Sequence, residues 1–179
     1  ETNAAKLSTN SGNKKTDASG STDGTYTVAE IASQCKSSVV AITNQSVQEV
    51  QTMFGTMQQQ STGSGSGVII GKNDTELLIA TNNHVVSGAE SLTVCFNDNK
   101  DAVFDAKIKG TDPNNDLAVI AIQLSDISED VLNSISIATL GDSTQMEVGD
   151  QVVAIGNALG YGQSVTTGII SAVDREVTI

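Results

Sequence analysis

Residues 67–123 read GVIIGKNDTELLIATNNHVVSGAESLTVCFNDNKDAVFDAKIKGTDPNNDLAVIAIQ, and this stretch decides the fold. Gly67–Ile70, Leu77–Ala80, Leu92–Phe96, Ala102–Ile108 and Asp116–Ile122 are short runs rich in Val, Ile and Leu, separated by clusters of Gly, Asn, Asp and Ser. Apolar or alternating runs of this length, bounded by turn formers, are strand signals rather than helix signals. Ser38–Ile42 adds one more on the N-terminal side, so six strands are expected by Gln123. With no Trp, three Phe and two Tyr, the core they build has to be aliphatic. The fold class expected is all-β.

Further outward the pattern changes. Residues 48–63 are polar apart from Val50, Met53, Phe54 and Met57 and exceed most hairpin connections in length, so a protruding loop is expected there. Thr27-Val28-Ala29-Glu30 has the spacing of a capping box, in which Thr27 and Glu30 satisfy each other's backbone N–H, and predicts a short helix over 28–36. Residues 1–25 are almost wholly Ser, Thr, Asn, Gly, Lys and Asp and read as a flexible polar linker. The domain reading is therefore a linker at 1–25, a helix and first β-barrel at 26–123, a connection at 124–149 without clear alternation, and a partial second barrel at 150–179. Strand signals resume there at DQVVAIG, SVTTGIISAV and REVTI, the last reaching Ile179. An ending within a strand leaves an unpaired edge, which reads as a fragment.

A formal charge of −12 opposes phosphate backbones and anionic membrane surfaces, and nucleic acid is dropped as a partner. No apolar run approaches the roughly 18 residues that a spanning helix requires. Cys35 and Cys95 lack C-x-x-C spacing and the chain has one histidine, too few soft ligands for zinc, so no metal or cofactor is expected. Either the two cysteines form a disulfide or both are buried free thiols; the sequence leaves this open, with the thiols favoured.

The single histidine, His84, lies in Ile79-Ala80-Thr81-Asn82-Asn83-His84-Val85-Val86, where a strand runs into a polar turn. Imidazole titrates near neutral pH, which suits a general base, although a lone histidine is more often a structural hydrogen-bonding residue. Asp116 ends the cluster Thr111-Asp112-Pro113-Asn114-Asn115 and opens an apolar strand. A carboxylate so placed can hold a histidine tautomer; its alternative is an Asx-type turn residue, a role Asp112 fits at least as well. Gly63-Ser64-Gly65-Ser66-Gly67 fails the G-x-S-x-G frame, because Gly65 stands where the serine belongs, and Ser143 reads as a turn serine.

Taken together, GSGSGVII, ATNNHVV, DPNNDLAVI, LGDS, VGDQVVAIGNALG and SVTTGIISAVDR stand in the order found in the HtrA/DegP-type serine proteases, and Thr27 to Arg175 resembles that family. The resemblance implies a chymotrypsin-like double β-barrel, the first barrel complete and the second partial, with a short N-terminal helix. It implies His84 as general base and Asp116 as its orienting carboxylate. The family's nucleophile lies in a Gly-Asn-Ser-Gly-Gly block, which these 179 residues do not contain. Ala158 is a departure, since many relatives have Pro there.

The implied parent is an extracytoplasmic serine endopeptidase that degrades unfolded or damaged proteins through an acyl-enzyme. It implies peptide or unfolded-protein substrates, a homotrimer built on the N-terminal part of the protease domain, a C-terminal PDZ domain and a membrane tether by an N-terminal helix. Without a nucleophile, the chain is expected to be inactive alone. The alternative is a non-catalytic binding or chaperone-like module.

Overall fold

The computed structural model describes residues 8–9, 26–52, 55–157 and 162–175. Its first strand, β1 (Ser8–Thr9), is two residues long, and helix α1 follows over Val28–Cys35. The capping box forms: the Glu30 amide donates to Thr27 Oγ1 at 3.2 Å, and the Thr27 amide to Glu30 Oε2 at 2.7 Å. Those backbone and hydroxyl donors hold the Glu30 carboxyl below its usual range. Most of the expected linker lies outside the described residues.

Six strands then close a barrel: β2 (Val39–Thr52), β3 (Gly55–Lys72), β4 (Glu76–Thr81), β5 (Ser91–Phe96), β6 (Val103–Asp112) and β7 (Leu117–Gln123). Their order around it is β2-β3-β4-β7-β6-β5, closed where β2 pairs β5 from Val40↔Phe96 to Gln45↔Ser91. The alternation read in the sequence is the inside–outside alternation of the barrel. Leu77 and Ile79 of β4, Leu92, Val94 and Phe96 of β5, and Ile120 and Ile122 of β7 meet in one core, mostly aliphatic but holding Phe96, whose ring centroid lies 5.7 Å from that of Phe104. Register shifts at Ile69/Gly71 and Ile108/Gly110 bend β3 and β6, as a small closed sheet requires.

The expected loop at 48–63 is instead a two-stranded ribbon. Past Gln45, β2 leaves β5, but its ladder with β3 continues from Ser46↔Ser61 to Thr52↔Gly55. None of the ribbon's described residues joins the buried core, and such a ribbon needs no apolar alternation, so the period-2 signal was missing although the pairing is regular. Met53 and Phe54 lie outside the described residues.

After β7, residues 124–149 hold short elements: a 3-10 turn at Leu124–Asp126, α3 (Glu129–Ser134), β8 (Thr139–Leu140), which pairs β1, and a 3-10 turn at Ser143–Gln145. Ile127 joins the barrel core, and Val131, Leu132, Ile135 and Ile137 pack against it. β9 (Gln151–Gly156) and β10 (Ser164–Ile169) form an antiparallel pair. It is tied to the barrel where the Asn157 amide donates to Ser66 Oγ at 2.7 Å and Gln163 Nε2 to Val39 O at 2.7 Å. Ala158 and the final Glu176–Ile179 stretch, read as part of a last strand, lie outside the described residues. Both cysteines are free, but only Cys95 is partly buried, which pushes its thiol up; Cys35 is exposed in the last turn of α1. Among the described residues no helix is long and apolar enough to cross a membrane.

Gly67 shows how tightly the barrel is filled. A Cβ there would lie 2.7 Å from Ile79 Cγ2 and 2.8 Å from Ile42 Cδ1. Gly67→Ala is therefore expected to destabilise the chain by about 1–3 kcal/mol through overpacking. In urea unfolding the midpoint falls with an unchanged slope; an unmoved midpoint would mean that the core is looser than drawn.

Candidate active site

The site begins where β4 ends. Thr81, buried at the end of the alternation, donates its hydroxyl to Ser66 O at 2.8 Å, and Asn82 then keeps an extended backbone. One helical turn follows, α2 (Asn83–Val86), closed by the Ser87 amide on Asn83 O at 2.9 Å. Val85 and Val86 are buried beneath the turn, so His84 is carried on its outer side, with its side chain 71% exposed. Gly65 of β3 allows this seating, because a Cβ there would lie 2.5 Å from Val85 Cγ2.

Asp116 enters from the turn before β7. Asp112 organises that turn: Oδ1 accepts from the Asn114 and Asn115 amides, and Oδ2 from Asn115 Nδ2 at 2.6 Å. The Asx-type role thus falls to Asp112, leaving Asp116 for another. Its backbone is left-handed, with φ at 50°, a region that Asp tolerates better than most residues.

From there Asp116 grips the histidine turn at several points. Its Oδ2 lies 2.7 Å from His84 Nδ1, and its Oδ1 accepts from the His84 amide at 2.8 Å. Its carbonyl accepts from the Asn83 amide at 3.1 Å and from Asn82 Nδ2 at 2.9 Å. The structure therefore brings together the two residues singled out in the sequence.

These contacts define a chemistry. The His84 amide first, then its ring, hold the Asp116 carboxyl below the usual aspartate range, so it is ionised at neutral pH. An ionised carboxylate only accepts, which puts the proton on Nδ1 and leaves Nε2 as a proton acceptor on the exposed side of the ring. Such a pair can take a proton from a nucleophile presented at Nε2 and then stabilise the imidazolium through Asp116.

Among the serines considered, Ser64 and Ser66 lie within β3, and Ser143 opens a short turn that Asp142 caps through the Thr144 amide at 3.0 Å. Sequence reading missed Asn82, which braces Asp116, and Asn44, which donates to the histidine turn. A signal for Asn44 was present: it continues the inward series Val40, Ile42, where a polar residue is out of place.

Comparison with known proteins places this geometry. Residues 65–178 match the model of the trypsin-like peptidase domain. The chain is 37% identical over 159 residues to the serine protease Do-like HtrA of Bacillus subtilis, covering 85% of this chain and 33% of that protein. It is 42% identical over 113 residues to the periplasmic pH-dependent serine endoprotease DegQ of Escherichia coli, covering 63% and 22%. Among solved structures, the HtrA-type protease AlgW with a decapeptide superposes with a TM-score of 0.62 at 32% identity, covering 84% of this chain and 47% of that one. The chain belongs to the trypsin-like peptidases, and among them to the HtrA/DegP-type serine proteases. Its fold is accordingly the chymotrypsin-like one, and it spans a third or less of the two curated relatives.

The Asp116 contacts fix a pH dependence. Because folding lowers its pKa, the stability this group contributes is fully present above the unfolded-state value and is lost as pH falls through the lowered folded value. A carbon-detected NMR titration is expected to put its midpoint below that of an unstructured aspartate. In His84→Ala the midpoint rises only part of the way, because the backbone N–H, the largest cause, remains. Full return to the unstructured value on loss of the ring alone would contradict this ranking.

Proposed function

We propose that this chain supplies the general base and its orienting carboxylate to an extracytoplasmic serine endopeptidase that degrades unfolded or damaged proteins. The observation that carries the reading is the Asp116 Oδ2 to His84 Nδ1 contact of 2.7 Å with the ring's other side exposed. The serine comes from a Gly-Asn-Ser-Gly-Gly block, which by family resemblance follows roughly a dozen residues after Ile179 and also supplies the oxyanion donors.

In this mechanism His84 Nε2 takes the proton from the serine hydroxyl as its oxygen bonds to the peptide carbonyl carbon. The proton passes to the leaving amine as the C–N bond breaks, giving an acyl-enzyme. Water then attacks the ester, again losing its proton to His84, and the serine leaves with it. Asp116 remains ionised throughout and balances the imidazolium charge.

The extracytoplasmic setting is supported by relatives whose names call them periplasmic, and peptide substrates by neighbours solved with bound peptides. Tethering to the membrane by an N-terminal helix, a homotrimeric assembly, a C-terminal PDZ domain and the boundaries 1–25, 26–123, 124–149 and 150–179 belong to the same proposal. They rest on family resemblance and sequence composition.

The test is casein cleavage by the chain extended through the residues encoded after Ile179. Cleavage is expected, and His84→Ala and Asp116→Asn are each expected to reduce kcat by about ten-thousand-fold or more. A stop codon directly after Ile179, or equal cleavage with and without His84, would instead support a non-catalytic binding module.

A further inference from the structure

Strand β2 places a polar side chain where its alternation calls for an apolar one. Val40, Ile42 and Asn44 share the inward face, and Asn44 is only 7% exposed. A buried primary amide is costly unless both of its ends are bonded. Here only the donor end is: Nδ2 donates to Val85 O at 2.9 Å and to Ser87 O at 3.3 Å. Oδ1, equally buried, has no hydrogen-bond partner among the described residues. An apolar side chain of similar size would remove the Oδ1 cost at the loss of both Nδ2 bonds, so the unpaired end does not account for an amide at this position.

The two carbonyls it holds do. A single helical turn cannot satisfy its own last carbonyls; Val85 O, in α2, follows directly on His84, and Ser87 O belongs to the extended residue that ends the turn. Asp116 grips the leading side of the turn through the Asn83 and His84 amides, and Asn44 grips the trailing side from the opposite direction. Between them, Gly65 lets Val85 sit flush against β3.

We propose that Asn44 is a positioning residue for His84, acting through the backbone of Val85 and Ser87 to hold the imidazole against the Asp116 carboxylate. It rests on the reading of His84 as the base. Asn44 does not bond to the ring; it limits how far the turn can rotate, and hence how often the Nδ1–H to Oδ2 bond opens.

His84 is the only histidine, so its ring resonances are unambiguous in the whole chain. The experiment compares the parent chain with Asn44→Leu, Asn44→Val and Asp116→Asn, reading exchange of the ring Nδ1–H with water by NMR and the urea midpoint of each. The Asn44 variants are expected to move the urea midpoint little, because losing the unpaired Oδ1 offsets losing the two Nδ2 bonds. Their Nδ1–H is nonetheless expected to exchange about tenfold faster, the loss expected for one to two neutral hydrogen bonds. Valine, a strong strand former, keeps the test available should leucine fail to fold. Folded Asn44 variants with parental exchange would overturn the proposal. If Asp116→Asn accelerates exchange while they do not, only the role of Asn44 falls; if Asp116→Asn leaves exchange unchanged, the reading of the pair falls with it.

Discussion

Asp116 stands in a left-handed backbone conformation at the mouth of β7, and through its carboxylate and its carbonyl it holds Asn82, Asn83 and His84 in one geometry. Each bond by itself is modest in water. Their value is that they share one residue, so the ring is oriented relative to the same backbone that positions its α-carbon. A carboxylate on a freely rotating side chain would attract the imidazole without fixing it. Charge makes the contact strong, but the backbone bonds make it directional.

The barrel exists, for this purpose, to bring two distant turns within reach. β4 and β7 are neighbours, paired from Glu76↔Gln123 to Thr81↔Ala118, so the residues that follow Thr81 and precede Ala118 must meet at one rim. That adjacency converts a separation of 32 residues in sequence into a hydrogen bond. The buried aliphatic core sets the register, since a slip by one residue would turn Leu77, Ile79, Ile120 and Ile122 outward. Core packing therefore reaches the site through register.

Much of this was legible in the sequence, for definite reasons. The six strands were readable because a closed barrel imposes a strict alternation, and α1 because Thr27 and Glu30 carry their own capping chemistry. The histidine and aspartate stood out only within an ordered series of motifs; alone, each had a structural alternative, and the turn role proposed for Asp116 belongs to Asp112. The ribbon from Ser46 to Ser61 was not legible, because a ladder without a core leaves no apolar period. Asn44 was legible only as a polar residue in the inward series Val40, Ile42; its targets were not, since carbonyls 41 and 43 residues away leave no local signature. The apolar residues of 127–137 went unread because they pack singly against a finished core rather than in a periodic face.

Asp116 fixes which ring nitrogen of His84 carries the proton. A long-range proton–nitrogen NMR spectrum of the neutral ring addresses it directly. A protonated Nδ1 and an unprotonated Nε2 are expected. A ring protonated at Nε2, or one exchanging between both forms, would contradict it.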